Sequence, residues 1–96
     1  MSERQGRYAV KADANQPEVV KALQEAGYIV HDTHALGHGF PDLCVMAASG
    51  AIVLLEVKTQ AGRLTADEVA FFETWHGAHV YQVRSGAEAV ALCRSL

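Results

Sequence analysis

A chain of 96 residues, half of them hydrophobic and a fifth charged, is sized for one folded domain with a modest core and does not have the composition of a disordered segment. Its formal net charge of −3 provides no basic footprint of the kind that marks many nucleic-acid binders, although a local basic patch can coexist with an acidic total. No stretch has the apolar core of a signal peptide or the length of a membrane span, so a soluble, cytoplasmic protein is expected.

Residues 1–14 are polar and expected to be loosely held. Tyr8 and Val10 are material for a short edge element, and Arg4, Arg7 and Lys11 for a flexible basic arm. ANQPEVVKALQEAG then reads as a helix, with Asn15 or Gln16 at its start, Pro17 in the first turn and Gly27 as its stop. Val19, Ala22, Leu23 and Ala26 recur at i, i+3, i+4 and i+7, so that face should pack on a sheet. Tyr28 to Val30 is a short first strand. A loop rich in Gly and His, HDTHALGHGFP, leads into the strand DLCVMA, and a turn at ASG connects it to the strongly apolar AIVLLEV. So short a connection makes the pair a hairpin.

TQAGRL is a polar connection, and Thr65 to His76 forms a second helix. Thr65 and Glu68 make a capping-box pair, and Gly77 is the stop. Val69, Phe72 and Trp75 or His76 supply its inward stripe, which leaves Phe71 for a partner surface. AHVYQV is a fourth strand, and Ser85 with Glu88 caps a last helix running through Leu92 or beyond. The order αβββαβα places a helical crossover between strands three and four, which predicts that they are parallel. The fold class is therefore α/β, with a four-stranded mixed sheet flanked by helices.

Three charged residues interrupt the apolar hairpin: Asp42, Glu56 and Lys58. Asp42 opens one strand and Glu56 nearly closes the next, with the turn midway between them, so an antiparallel pairing brings the two carboxylates together. Glu56 and Lys58 are two residues apart and share a face, while Val57 points the other way. Two carboxylates meeting in an apolar setting repel each other and are costly to desolvate. A divalent cation relieves both penalties, and Mg²⁺ typically takes one or two carboxylates, several waters and substrate phosphate. Lys58 beside it can hold or help deprotonate a water, or offset phosphate charge. The E-x-K triplet alone is common, and a salt bridge from Lys58 to Asp42 or Glu56 at a frayed sheet end is an equally available reading.

Other polar residues have weaker signals. His31, His34 and His38 have no cysteine at zinc-like spacing, and solvated loop histidines are the simpler account. The glycines of GHGF permit close backbone approach and place His38 near the path into Asp42. Thr59, Gln60 and Arg63 follow the strand that carries Glu56, and Arg63 suits a phosphate contact. Cys44 and Cys93 lie in apolar runs and are expected to be reduced.

GFPDL, then LLEVKT, then GRLT resembles the PD-(D/E)xK nuclease superfamily. It more closely resembles the small stand-alone VRR-NUC domains of phages and bacteria, which are similar to Holliday junction resolvases. NQPEVVKAL, EAGYIV and YQVRS extend the resemblance over nearly the whole chain. It implies a single domain over residues 1–96 with a restriction-endonuclease-like core. It further implies Asp42 and Glu56 as ligands of Mg²⁺ or Mn²⁺, the Val57 carbonyl as a further oxygen, and Lys58 as the catalytic lysine. Glu18 is the candidate for an extra acidic ligand from the first helix, although a solvated Glu is also expected at a helix start. Many relatives carry glutamine where Glu68 stands; an amide donates hydrogen bonds, whereas a carboxylate only accepts. Glu68 is read here as the capping-box acid, and its presence bears on DNA contact.

The activity implied is metal-dependent hydrolysis of DNA phosphodiester bonds, selective for four-way or otherwise branched DNA, in a bacterial cytoplasm or phage-infected cell. A two-fold symmetric junction needs two symmetry-related sites, hence a C2 homodimer. Shape and phosphate contacts are expected to dominate recognition. A nicking nuclease without junction selectivity is a second reading. A non-catalytic DNA- or protein-binding module that keeps the fold is a third; Glu68 and the acidic total favour it, and the intact Asp42, Glu56, Lys58 set counts against it.

Overall fold

The computed structural model describes residues 13–75 and 79–96. Helix α1 (Gln16–Glu25) is followed by strand β1 (Val30–Asp32), a 3₁₀ turn (His34–Leu36), β2 (Leu43–Met46), β3 (Ile52–Val57), α2 (Ala66–Thr74), β4 (His79–Val83) and α3 (Gly86–Ser95). The four strands form one sheet in the order β1-β2-β3-β4, with β1-β2 and β2-β3 antiparallel and β3-β4 parallel. This is the mixed α/β architecture and element order that the sequence predicts. The expected edge element at Tyr8 and Val10, the basic arm of Arg4, Arg7 and Lys11, and the helix stop at His76 and Gly77 lie outside the described residues.

The hydrophobic pattern explains how the layers stack. Along β3, Val53, Leu55 and Val57 are buried and cluster with Val19 and Leu23 of α1 and Ala89 and Cys93 of α3. Residues two apart share a sheet face, so α1 and α3 together cover this one. The two helices approach closely enough that a Cβ on Gly86 would lie 2.6 Å from the Ala22 Cβ. Cys44 and Cys93 are both free thiols. No helix among the described residues is long and apolar enough to cross a membrane.

Two local expectations are corrected. The first strand is Val30–Asp32 rather than Tyr28–Val30. The Tyr28 N–H closes the end of α1 by donating to Leu23 O, and pairing with β2 begins only at Val30. Helix α2 has no buried residue, so its expected inward stripe does not form. Val69 and Trp75 are exposed, and Phe71 packs with Phe40 and Trp75 instead. The cause is position: the first turn of α2 is pressed against Gly39. There a Cβ would come within 2.3 Å of Asp67 O, and φ is +83°, a conformation open to glycine.

Candidate active site

The β2-β3 register pairs Leu43 with Leu55, Cys44 with Leu54, Val45 with Val53 and Met46 with Ile52. One further step sets Asp42 opposite Glu56, as the hairpin predicts. The Val57 N–H donates to Asp42 Oδ2 at 2.8 Å. In an antiparallel ladder a residue's N–H and C=O point to the same neighbour, so the Val57 carbonyl is directed toward the Asp42 side. Lys58 Nζ lies 3.8 Å from Glu56 Oε2 and 2.9 Å from Glu68 Oε1. Asp42, Glu56 and Lys58 are all buried, Glu56 almost completely.

Glu68 therefore has two roles. Its Oε1 accepts from the Thr65 N–H at 2.8 Å while its own N–H donates to Thr65 Oγ1 at 3.2 Å, completing the capping box. The same oxygen accepts from the Lys58 ammonium, tying helix α2 to the end of β3. The capping-box reading is thus correct but incomplete, because a strand-to-helix contact cannot be read from local spacing.

These groups surround a cavity of about 630 Å³. Its walls include Asp42, Glu56, Lys58, Glu68, Thr59, Arg63 and His38. His38 has a positive φ of 56° between Gly37 and Gly39, whose φ values are also positive. Gln60 does not line the cavity; its carbonyl accepts from Arg84 Nη1 at 3.2 Å. Glu18 is not brought to the carboxylate pair. It is exposed, and its Oε2 accepts from the Gly86 N–H at 3.2 Å, capping α3. Glu18→Ala is accordingly expected to cost about 1 kcal/mol of stability, typical of a lost cap, read as a lower melting temperature. Metal affinity measured by calorimetry should not change, whereas a tenfold loss would show that Glu18 is a ligand.

Three residues escape a linear reading of the sequence. Asp13, which precedes α1, lines the cavity in place of Glu18, and its Oδ2 accepts from the Thr59 N–H at 3.0 Å. Asn15 donates to the carbonyls of Lys58 and Arg84 at 3.1 and 3.0 Å. Arg84 Nη1 donates to the carbonyls of Thr59 and Gly62, bracing the turn after β3. Each acts across more than twenty residues of chain; Asn15 is legible in sequence only as the helix start, and Asp13 and Arg84 only as polar residues beside a helix or strand end.

The electrostatics follow from burial and crowding. Burial raises the Asp42 pKa, and the Glu68 charge adds to this, against contacts with Glu56, the Val57 N–H and Lys58 that lower it. Burial and the neighbouring carboxyls of Asp42 and Glu68 push Glu56 up to about 10. Burial alone would lower Lys58, but the Glu68 and Glu56 carboxylates outweigh it and hold the ammonium above its ordinary value. For Glu68, burial works upward, and the Thr65 N–H and Lys58 more than offset it, leaving its carboxyl below the ordinary range. These neighbours thus favour the charged, hydrogen-bond-donating form of Lys58.

The donor set suits a hard divalent cation. Glu56 Oε1 is buried with no hydrogen-bond partner, beside a second carboxylate and a carbonyl directed to the same side. Among the described residues no group of three or more His, Cys, Asp or Glu is arranged to hold a metal. A two-carboxylate centre completed by water and phosphate is nevertheless an ordinary arrangement for Mg²⁺. The cavity wall also carries Asp13, Asp67 and Glu68 against the cations Lys58 and Arg63. Such a wall repels a phosphate unless positive charge is added. His31 is exposed on the edge strand and His34 Nδ1 lies 2.6 Å from Asp32 Oδ1. Neither lines this cavity.

No protein-family model matches the chain, and no curated protein matches it. A solved structure described as "VRR_NUC domain" is similar with a TM-score of 0.64 and 27% sequence identity, covering 81% of this chain and 92% of that one. This likeness agrees with the resemblance carried by GFPDL, LLEVKT and GRLT, and supports a general link to the VRR-NUC and PD-(D/E)xK nucleases. The chain has a nuclease-like fold, structurally related to a VRR_NUC domain.

Proposed function

We propose that this protein is a metal-dependent DNA endonuclease that hydrolyses phosphodiester bonds, with Asp42, Glu56 and Lys58 at its centre. The observation that carries the reading is the buried Asp42 and Glu56 pair with an orphaned Glu56 oxygen, facing a cavity into which a lysine projects. Asp42, Glu56 and the Val57 carbonyl would hold Mg²⁺ or Mn²⁺. When bound, the cation supplies Lewis acidity that neutralises the carboxylates and the charge developing on the phosphate. Lys58, held as an ammonium by Glu68, donates to a non-bridging phosphate oxygen and stabilises the transition state. Arg63, Thr59 and His38 line the same cavity, and Arg63 and Thr59 contact flanking phosphates.

Branched DNA, including four-way junctions, is the proposed substrate class, and the active species a homodimer whose two-fold axis relates the two sites. Ile29, Met46 and Ile52, exposed at the turn end of the sheet, leave apolar surface for a second copy. The test is to incubate the protein, Asp42→Ala and Lys58→Ala with junction, flapped and linear duplex DNA in Mg²⁺, Mn²⁺ or EDTA. Metal-dependent cutting by the wild type alone supports the reading. Cutting by all three proteins, or by none, defeats catalysis and returns the binding-module reading. Equal cutting of duplex and branched DNA leaves a nicking nuclease, and sedimentation as a monomer at micromolar concentration removes the dimer.

A further inference from the structure

Beside the cavity mouth lies an aromatic cluster with no role in the chemistry above. Phe71 and Trp75, one turn apart on α2 and its C-cap, are stacked with centroids 4.8 Å apart and planes 16° apart. Phe40 meets both edge-on, at 5.3 Å and 72° from Phe71 and at 6.4 Å and 79° from Trp75. Phe40 also lines the cavity and is two residues from Asp42. Trp75 remains 42% exposed. Helix α2, which buries none of its residues, and its C-cap thus carry a stacked aromatic pair, with the cavity-lining Phe40 edge-on against both rings and Trp75 part-exposed.

We propose that the Phe71–Trp75 stack is a platform for an unpaired nucleobase of the strand whose phosphate enters the Asp42–Glu56–Lys58 cavity. This rests on the nuclease reading and narrows its substrate to DNA with a single-stranded segment, such as a flap or an opened branch point, beside the cleaved bond. A base within a blunt duplex is already stacked and paired and cannot offer its face. An unpaired base can, and base–aromatic stacking tolerates any sequence. Continuity through Phe40 favours this occupant over a second copy of the chain. It joins the platform to the phosphate-binding cavity, whereas the apolar Ile29, Met46 and Ile52 patch lies at the opposite end of the sheet.

Trp75 is the single tryptophan of the chain, so its fluorescence reports on the platform directly. In Ca²⁺, flapped duplex and single-stranded DNA should quench the emission, and blunt duplex of equal length should not. By anisotropy of labelled DNA, Trp75→Ala should weaken binding to flapped duplex by roughly tenfold and leave blunt duplex unchanged, while Trp75→Phe keeps most of the affinity. Binding of flapped DNA with unchanged emission, or equal losses on flapped and blunt DNA, overturns the platform and leaves the nuclease reading intact. Absence of binding to any DNA overturns both. Emission that shifts with protein concentration alone, with Trp75→Phe restoring and Trp75→Ala abolishing a dimer in sedimentation, assigns the stack to self-association and also overturns the proposal.

Discussion

Replacing Lys58 with methionine is expected to lower the single-turnover rate of DNA cleavage by roughly 10²–10³-fold, the usual loss when one donor to a developing charge is removed. Affinity for DNA should fall as well, by less than the rate, because Lys58 is one of two cations on an acidic wall. Lys58 Nζ lies in a buried slot, with Glu68 Oε1 at 2.9 Å and Glu56 Oε2 at 3.8 Å, and methionine fills a similar volume without the charge. The partner residue separates two roles for the ion pair. Glu68→Ala removes the acceptor that aims Lys58 and breaks the capping box, so both rate and stability should fall. Glu68→Gln keeps an oxygen for Lys58 and for the Thr65 N–H while removing one carboxylate from an acidic wall. It should therefore retain most of the rate and bind DNA more tightly. A Glu68→Gln protein as slow as Lys58→Met would mean that the negative charge of Glu68, rather than its geometry, serves catalysis.

The second large effect concerns stability. Glu56 has its pKa pushed from its ordinary 4.5 up to about 10 by burial and by Asp42 and Glu68. A carboxyl with a raised folded-state pKa holds its proton more tightly in the native than in the unfolded chain. Stability is then highest below about pH 4.5, as far as this group is concerned, and falls as pH rises toward 10. Glu56→Gln removes that titration, so in EDTA the variant should melt at least about 5 °C higher than the wild type at pH 8, a floor on the order of 1 kcal/mol against the several kcal/mol that the full displacement implies. The two proteins should converge near pH 4. Millimolar Mg²⁺ should raise the wild-type melting temperature more at pH 8 than at pH 5 and leave the variant nearly unmoved. Parallel melting curves across pH, with or without Mg²⁺, would show that the buried pair is neither strained nor a cation site.

Much of this arrangement was legible in the residues because it depends on local pattern and on a short loop. The β2-β3 hairpin is closed by so few residues that its turn sets the register, and the register sets Asp42 opposite Glu56. Strand periodicity places Lys58 on the Glu56 face, and Thr65 with Glu68 announces the start of α2. The errors fall where a side chain chooses between partners distant in sequence. Glu18 has the character expected of an acidic ligand, yet it caps α3, and Asp13 takes the place at the cavity. Trp75 and Val69 have core-like chemistry at helical spacing, yet α2 sits over the sheet end and leaves them exposed.

By itself, then, the sequence determined the element order, the mixed sheet and the meeting of two carboxylates with a lysine, since alternation, capping and a tight turn are local and strong. Only the tertiary structure decided that Glu68 restrains Lys58, that Asp13 joins the wall in place of Glu18, and that Phe40, Phe71 and Trp75 form one cluster at its edge. Those choices depend on how α2 and the segment before α1 dock onto the sheet, a balance of long-range contacts that no window of neighbouring residues contains.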